Sequence, residues 1–154
     1  MSAERFTLDT NILVYGIDTL AGPRQDLARR ILELSPAREC WLTLQAISEF
    51  YAVATRKRMM PAEEAAAQAS DWLELYPVLP ASASAMRAAL AAASQGRASY
   101  WDALLAATAF EGGCAAILSE DMQDSTVLGG LRIVNPFHGT ALAPQARDLL
   151  GIVP

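Results

Sequence analysis

Cysteine and histidine are scarce in this sequence: Cys40, Cys114 and the single His138 are all it has in 154 residues. That excludes a disulfide scaffold and leaves too few soft ligands at suitable spacing for a zinc site. Both cysteines stand in apolar surroundings, before Trp41-Leu42 and Ala115-Ala116-Ile117-Leu118, and read as buried reduced thiols of a cytoplasmic protein. No apolar run approaches the roughly 20 residues of a membrane helix. No signal-peptide core follows Met1-Ser2-Ala3-Glu4-Arg5. No Gly-rich phosphate loop follows a strand-like segment, which argues against a nucleotide-cofactor enzyme. Positive charge is also short, with 12 Lys and Arg against 17 Asp and Glu and a net charge of −5. Such a chain does not hold nucleic acid by sheer positive potential. Carboxylates gathered around divalent cations remain compatible with that balance, because the cations offset part of the charge.

Apolar residues are plentiful at 53% of the chain, enough for one packed domain. Short strands are expected at Arg5–Leu8, Glu39–Leu42, Pro77–Leu79, Ala115–Leu118 and Leu131–Val134. Asn11–Tyr15 reads equally as strand or short helix. Helices are expected from Pro23 to Ser35 and, after a Thr43 cap, to about Arg58. Others run from Pro61 to near Tyr76, from a Ser82 or Ser84 cap to Gln95, and from Tyr100 to Glu111. In the helix after Thr43, Ile47, Phe50, Tyr51 and Ala54 form the expected inward stripe. Alternating strands and helices predict an α/β fold: a central, mainly parallel sheet flanked by helices. Asn135-Pro136 is expected to close the core, giving one domain over 1–137 and a tail over 138–154, weakly helical around Ala143 to Leu150.

Four acids stand where such a fold places chemistry. Asp9 ends the first strand, and Asp121 follows the strand Ala115–Leu118. The crevice beyond the carboxyl ends of the strands is the usual ligand site of an open α/β sheet. Glu49 lies early in one helix and Asp102 in the first turn of another. Carboxylates so gathered repel one another unless a cation bridges them, and hard oxygen ligands suit Mg²⁺ or Mn²⁺. Each acid also has an ordinary reading: Asp9 as a helix cap, Glu49 as a solvated helix position, Asp102 in a capping box with Ser99, Asp121 and Asp124 as turn residues. Arg56-Lys57-Arg58, the densest basic run, reads first as favourable charge at a helix C-terminus and second as a phosphate contact.

Four motifs in order resemble the PIN domains of VapC-type toxin nucleases: Leu8-Asp9-Thr10-Asn11-Ile12-Leu13-Val14-Tyr15, Ile47-Ser48-Glu49-Phe50-Tyr51, Tyr100-Trp101-Asp102-Ala103-Leu104-Leu105-Ala106-Ala107 and Leu118-Ser119-Glu120-Asp121-Met122-Gln123-Asp124. The ending Leu131–Phe137 is similar too, so the resemblance runs from Phe6 to about Phe137. It implies a three-layer fold with an acidic pocket at one edge of the sheet. Asp9, Glu49 and Asp102 fall in the three main acidic positions and Asp121 in the fourth. Many members carry a further acid where this chain has Gln123, and Asp124 is displaced from it by one step. Asn11 and Ser119 match polar positions that orient the acids. The implied activity is Mg²⁺- or Mn²⁺-dependent endoribonucleolysis, leaving 5′-phosphate and 3′-hydroxyl ends. In that scheme Asp9, Asp102 and Asp121 hold the metal, and Glu49 helps hold it or orients the attacking water. The implied partners are RNA, a second copy of the chain and a cognate antitoxin that presents an Arg to the acids, with exposed apolar surface on the first helices and the Pro61 helix as the expected place for the protein contacts.

Two other readings stand beside this one. An aspartyl-nucleophile phosphatase would use Asp9 after a strand, but such enzymes usually carry a second Asp where this chain has Asn11. A degenerate module would bind RNA or protein without cleaving.

Overall fold

The fold is described for residues 3–124 and 126–153 of a computed structural model. Met1, Ser2, Ser125 and Pro154 lie outside the described residues, as does that part of the N-terminal reading. The buried strand β1 (Phe6–Leu8) pairs in parallel with β4 (Ala116–Leu118), which pairs in parallel with β6 (Leu131–Val134). An antiparallel edge strand, β5 (Val127–Leu128), completes the sheet in the order β1-β4-β6-β5. On the other side of β1, a parallel bridge from Phe6 to Cys40 leads to the two-stranded ribbon of β2 (Leu42–Thr43) and β3 (Val78–Leu79). β1 and β4 are buried at every position because both of their faces are covered.

Helix α1 (Thr10–Tyr15) follows β1 directly, which resolves the strand-or-helix ambiguity of that segment. Pro23 opens α2 (Pro23–Leu34), where its missing N–H costs nothing. The Thr43 hydroxyl accepts the Ala46 N–H at 3.1 Å and starts α3 (Leu44–Arg56), a cap worth about 1 kcal/mol. Helix α4 (Ala62–Leu75) lays Trp72 edge-on against Phe50 of α3, with centroids 4.6 Å apart. Ser82 caps α5 (Ala83–Ser94) and Ser99 caps α6 (Tyr100–Glu111). The alanines of the middle region have a packing purpose. Ala85 and Ala89 of α5 meet Ala103 and Ala107 of α6, and methyl-sized side chains let the two helices approach closely. Helix α6 is buried on nearly every side from Ala103 to Ala109, so it lacks the apolar-polar contrast of a surface helix.

Three expectations are corrected. Tyr51 is 40% exposed, not part of the inward stripe of α3, because one step past Phe50 turns the side chain about 100° off the buried face. The core does not close at Asn135-Pro136. The segment beyond forms β7 (Phe137–His138), β8 (Ala141–Leu142) and α7 (Pro144–Leu150), and Leu142, Ala146, Leu149 and Leu150 join the main core. The polar turn after Asp121 contains the unforeseen β5, which is too short for periodicity to mark.

The basic run ends α3 with a defined geometry. Met59 N–H reaches Ala54 C=O at 2.9 Å and Arg58 N–H reaches Thr55 C=O at 3.1 Å, a Schellman motif. It places Arg58 at φ 52°, a left-handed conformation that glycine adopts freely. Arg58→Gly is therefore expected to raise stability by about 1 kcal/mol in urea unfolding. An unchanged or lower midpoint would mean that the arginine makes compensating contacts.

Candidate active site

Strand register builds the site. Leu8 stands opposite Leu118, so the residues just past them, Asp9 and Ser119, leave the sheet side by side. Asp9 N–H donates to Leu118 C=O at 3.0 Å, and Ser119 N–H to Val134 C=O at 3.0 Å. Asp9 is also the N-cap of α1, and its Oδ1 accepts the Thr10 N–H at 2.7 Å. Its Oδ2 accepts from the Ser119 hydroxyl at 2.7 Å and from Asn11 Nδ2 at 3.3 Å. The capping reading of Asp9 and its reading as a site residue hold together: the helix start fixes the carboxylate at the sheet edge.

The other acids arrive from two helices and a loop. Glu49 sits in the second turn of α3, where Thr10 Oγ1 donates to its Oε2 and Gln45 Nε2 to its Oε1, both at 2.9 Å. Gln45 Nε2 also reaches the Trp101 C=O at 2.9 Å, tying α3 to the first turn of α6. Asp102 is in that turn, because α6 reverses through Gly112-Gly113 into β4 and so starts at the rim where β4 ends. Asp121 is exposed on the loop after β4.

Charge coupling links the acids in part. Burial pushes the Asp9 carboxyl up to about 6; the Ser119 and Thr10 hydrogen bonds oppose the rise, and the charges of Asp102 and Asp121 add to it. Asp102 is also raised, by burial first and then by Asp121 and Glu49, against the Ser99 hydroxyl. Asp9 thus feels Asp102 and Asp121, and Asp102 feels Asp121 and Glu49. No Lys or Arg among the described residues is ion-paired with any of them.

These donors are hard carboxylate oxygens, the chemistry Mg²⁺ and Mn²⁺ select. Among the described residues, however, no three His, Cys, Asp or Glu side chains converge on one point as ligands. The donor set and its uncompensated charge fit a divalent ion, whereas the side-chain positions stop short of a closed coordination shell. Asp124 is occupied elsewhere: its Oδ1 accepts the Asn135 N–H at 2.7 Å, a structural tie between the loop and the end of β6.

Beside Glu49 lies an open apolar groove of about 580 Å³, lined by Leu44, Ser48, Ala52, Ala81, Trp101 and Leu104. Trp101 is 60% exposed there, next in sequence to Asp102. Sequence reasoning missed Thr10, Gln45 and the environment of Glu120. The Gln45–Glu49 spacing of i, i+4 on one helix was the available signal for Gln45.

Residues 6–123 match the PIN domain family. No curated protein sequence matches the chain. Several solved structures share its fold. VapC20 of Mycobacterium tuberculosis, a toxin that cleaves the sarcin–ricin loop, is 17% identical with a TM-score of 0.60, over 75% of this chain and 91% of that one. A toxin–antitoxin complex from Klebsiella pneumoniae contains a chain 21% identical with a TM-score of 0.61, over 88% of this chain and 98% of that one. VapBC2 of Rickettsia felis, bound to a DNA fragment from its promoter, gives 16% and 0.61, over 83% and 96%.

Proposed function

The chain belongs to the PIN domain family, and from that premise we propose that it is a metal-dependent endoribonuclease, the toxin of a type II toxin–antitoxin pair. The observation that carries this reading is a rim where Asp9 feels Asp102 and Asp121, Asp102 also feels Glu49, and none of the four has a cationic side chain paired to it among the described residues. Asp9, Asp102 and Asp121 would hold Mg²⁺ or Mn²⁺, and Glu49 would complete the site. When bound, such an ion supplies Lewis-acid polarisation of the phosphoryl group and activation of a water.

The chain's own residues do the rest. Thr10 N–H, Ser119 and Asn11 fix both oxygens of Asp9, so its charge is presented in one orientation. Glu49 is held by Thr10 and Gln45, yet a carboxylate has about four acceptor sites, which leaves room to accept a proton from the attacking water. The scissile phosphate is then cut to 5′-phosphate and 3′-hydroxyl ends.

The partners follow from the same reading. An antitoxin segment would bring an Arg to the acids, supplying the missing countercharge. The apolar groove beside Glu49 is the surface assigned to a protein partner, either that antitoxin or a second copy of the chain. Among the described residues no helix is long and apolar enough to cross a membrane.

The test is an assay of purified protein on structured RNAs, including a sarcin–ricin-type stem-loop, with Mg²⁺, Mn²⁺ or chelator. Internal cuts that chelator abolishes are expected. Cutting indifferent to chelator, or binding of RNA without any cut, would overturn the assignment in favour of a metal-free nuclease or a binding module. Capture of a phosphorylated Asp9 would instead support the aspartyl-nucleophile alternative.

A further inference from the structure

Glu120 stands between two residues of the site and is itself turned away from it. We propose that Glu120 is a positioning residue: locked by Arg24 and Tyr15, it fixes the turn that sets Ser119 and Asp121 against Asp9. The part of this proposal that concerns metal binding rests on the function assigned above.

The geometry of the lock is specific. The Tyr15 hydroxyl donates to Glu120 Oε1 at 2.6 Å. Arg24 Nε reaches Oε1 at 2.9 Å and Oε2 at 2.6 Å, and its Nη2 reaches Oε2 at 2.6 Å. Both donors are braced by one ring: Phe137 meets Tyr15 edge-on at 5.7 Å, and the Arg24 guanidinium lies 5.5 Å from the Phe137 centroid. The end of α1, the start of α2 and the strand β7 thus converge on one carboxylate. An isolated surface ion pair stabilises by little. A forked guanidinium pair on a side chain only 19% exposed, joined by a charge-assisted phenol bond, is stronger and fixes direction as well as distance.

The consequence for the site follows from chain connectivity. Ser119 donates to Asp9 Oδ2 at 2.7 Å and accepts the Met122 N–H at 3.2 Å, so its hydroxyl is the hub of the turn. Glu120, next along, is anchored outward, and Asp121, one further, faces Asp9 and Asp102 electrostatically. Of the two consecutive acids, one is paired with Arg24 and holds the backbone, while the other stands on the rim with no cationic side chain paired to it among the described residues. Releasing Glu120 would let the 119–122 turn rotate and would leave the Arg24 guanidinium without its carboxylate partner.

The test uses the full chain as wild type, Glu120→Gln, Arg24→Met and Arg24→Lys, with three readouts. Hydrogen exchange at the Met122 amide is measured in metal-free protein, Mn²⁺ affinity by calorimetry, and Tm by circular dichroism. Glu120→Gln is expected to speed Met122 exchange about tenfold while the Ile117 amide of β4 is unaffected, and to weaken Mn²⁺ about tenfold. Arg24→Lys, which keeps the charge but loses the fork, should fall between wild type and Arg24→Met in both. If the variants lower Tm but leave Met122 exchange and Mn²⁺ affinity at wild-type values, the lock is merely structural and the proposal is overturned. If wild type itself binds no Mn²⁺, the metal-site reading fails on its own, and Met122 exchange still decides whether Glu120 positions the turn.

Discussion

Asp9→Asn is expected to lower metal-dependent RNA cleavage by roughly 100- to 1,000-fold, the range for removing one electrostatic partner of a reaction centre. The fold should survive, because Asn fills the same volume and its Oδ1 can still accept the Thr10 N–H that starts α1. Asp9 is the acid whose loss should matter most. It is 8% exposed, both its oxygens are fixed, and it feels both Asp102 and Asp121. Asp121→Asn alone should cost less, since that side chain is exposed on a loop. The double variant should be no worse than about Asp9→Asn alone, because groups that act as a unit are not additive. The check is cleavage rate on one susceptible RNA, with circular dichroism of each variant. Wild-type rates in Asp9→Asn would remove the acidic site from the mechanism.

How far the sequence went toward this site depends on range. Asp9 and Asp121 were legible because they sit at the ends of apolar runs that form β1 and β4, and the ligand crevice of an open α/β sheet lies there. The ordinary reading of Asp102, in a capping box with Ser99, holds: the Ser99 hydroxyl lies 3.2 Å from the Asp102 N–H, and that spacing marked a helix start, so only the resemblance pointed to the acid as a site residue. Glu49 looked like any solvated helix acid, and only the short motif around it marked it out. The resemblance pointed to Ser119 as a residue that orients the acids, but the register that sets it beside Asp9, 110 residues away in the chain, was not legible from the strands themselves. Strand pairing is decided by tertiary packing and leaves no local trace in strands of three residues. The same limit hid Arg24. Nothing local marks its role, because its partner is 96 residues away. The apolar pattern after Pro136 was too irregular to read as core, yet four of its residues pack there.

The second large effect is on stability, and its sign runs against the usual carboxylate. The Asp9 carboxyl is raised to about 6 in the fold from 3.8, so between those values the folded chain holds a proton that the unfolded chain has released. With chelator present, this group's contribution is intact below pH ~4. It is lost as pH rises to about 6, and the loss amounts to about 3 kcal/mol. Asp102, raised in the same direction, adds to the trend. Asp9→Asn cannot release the proton, so the stability difference between variant and wild type should shift by about 3 kcal/mol in favour of the variant between pH 4 and 7. Any fixed cost of turning an amide toward Asn11 and Ser119 cancels in that slope. Saturating Mn²⁺ at pH 7 should reverse the ranking, restoring about 3 kcal/mol to wild type at 100 times its Kd and little to the variant. Urea unfolding across that pH range, with and without Mn²⁺, measures all of this. Parallel pH profiles for the two proteins would mean that Asp9 ionises in the fold as it does in water, and that burial, the first cause of the rise, is offset by the Ser119 and Thr10 hydrogen bonds.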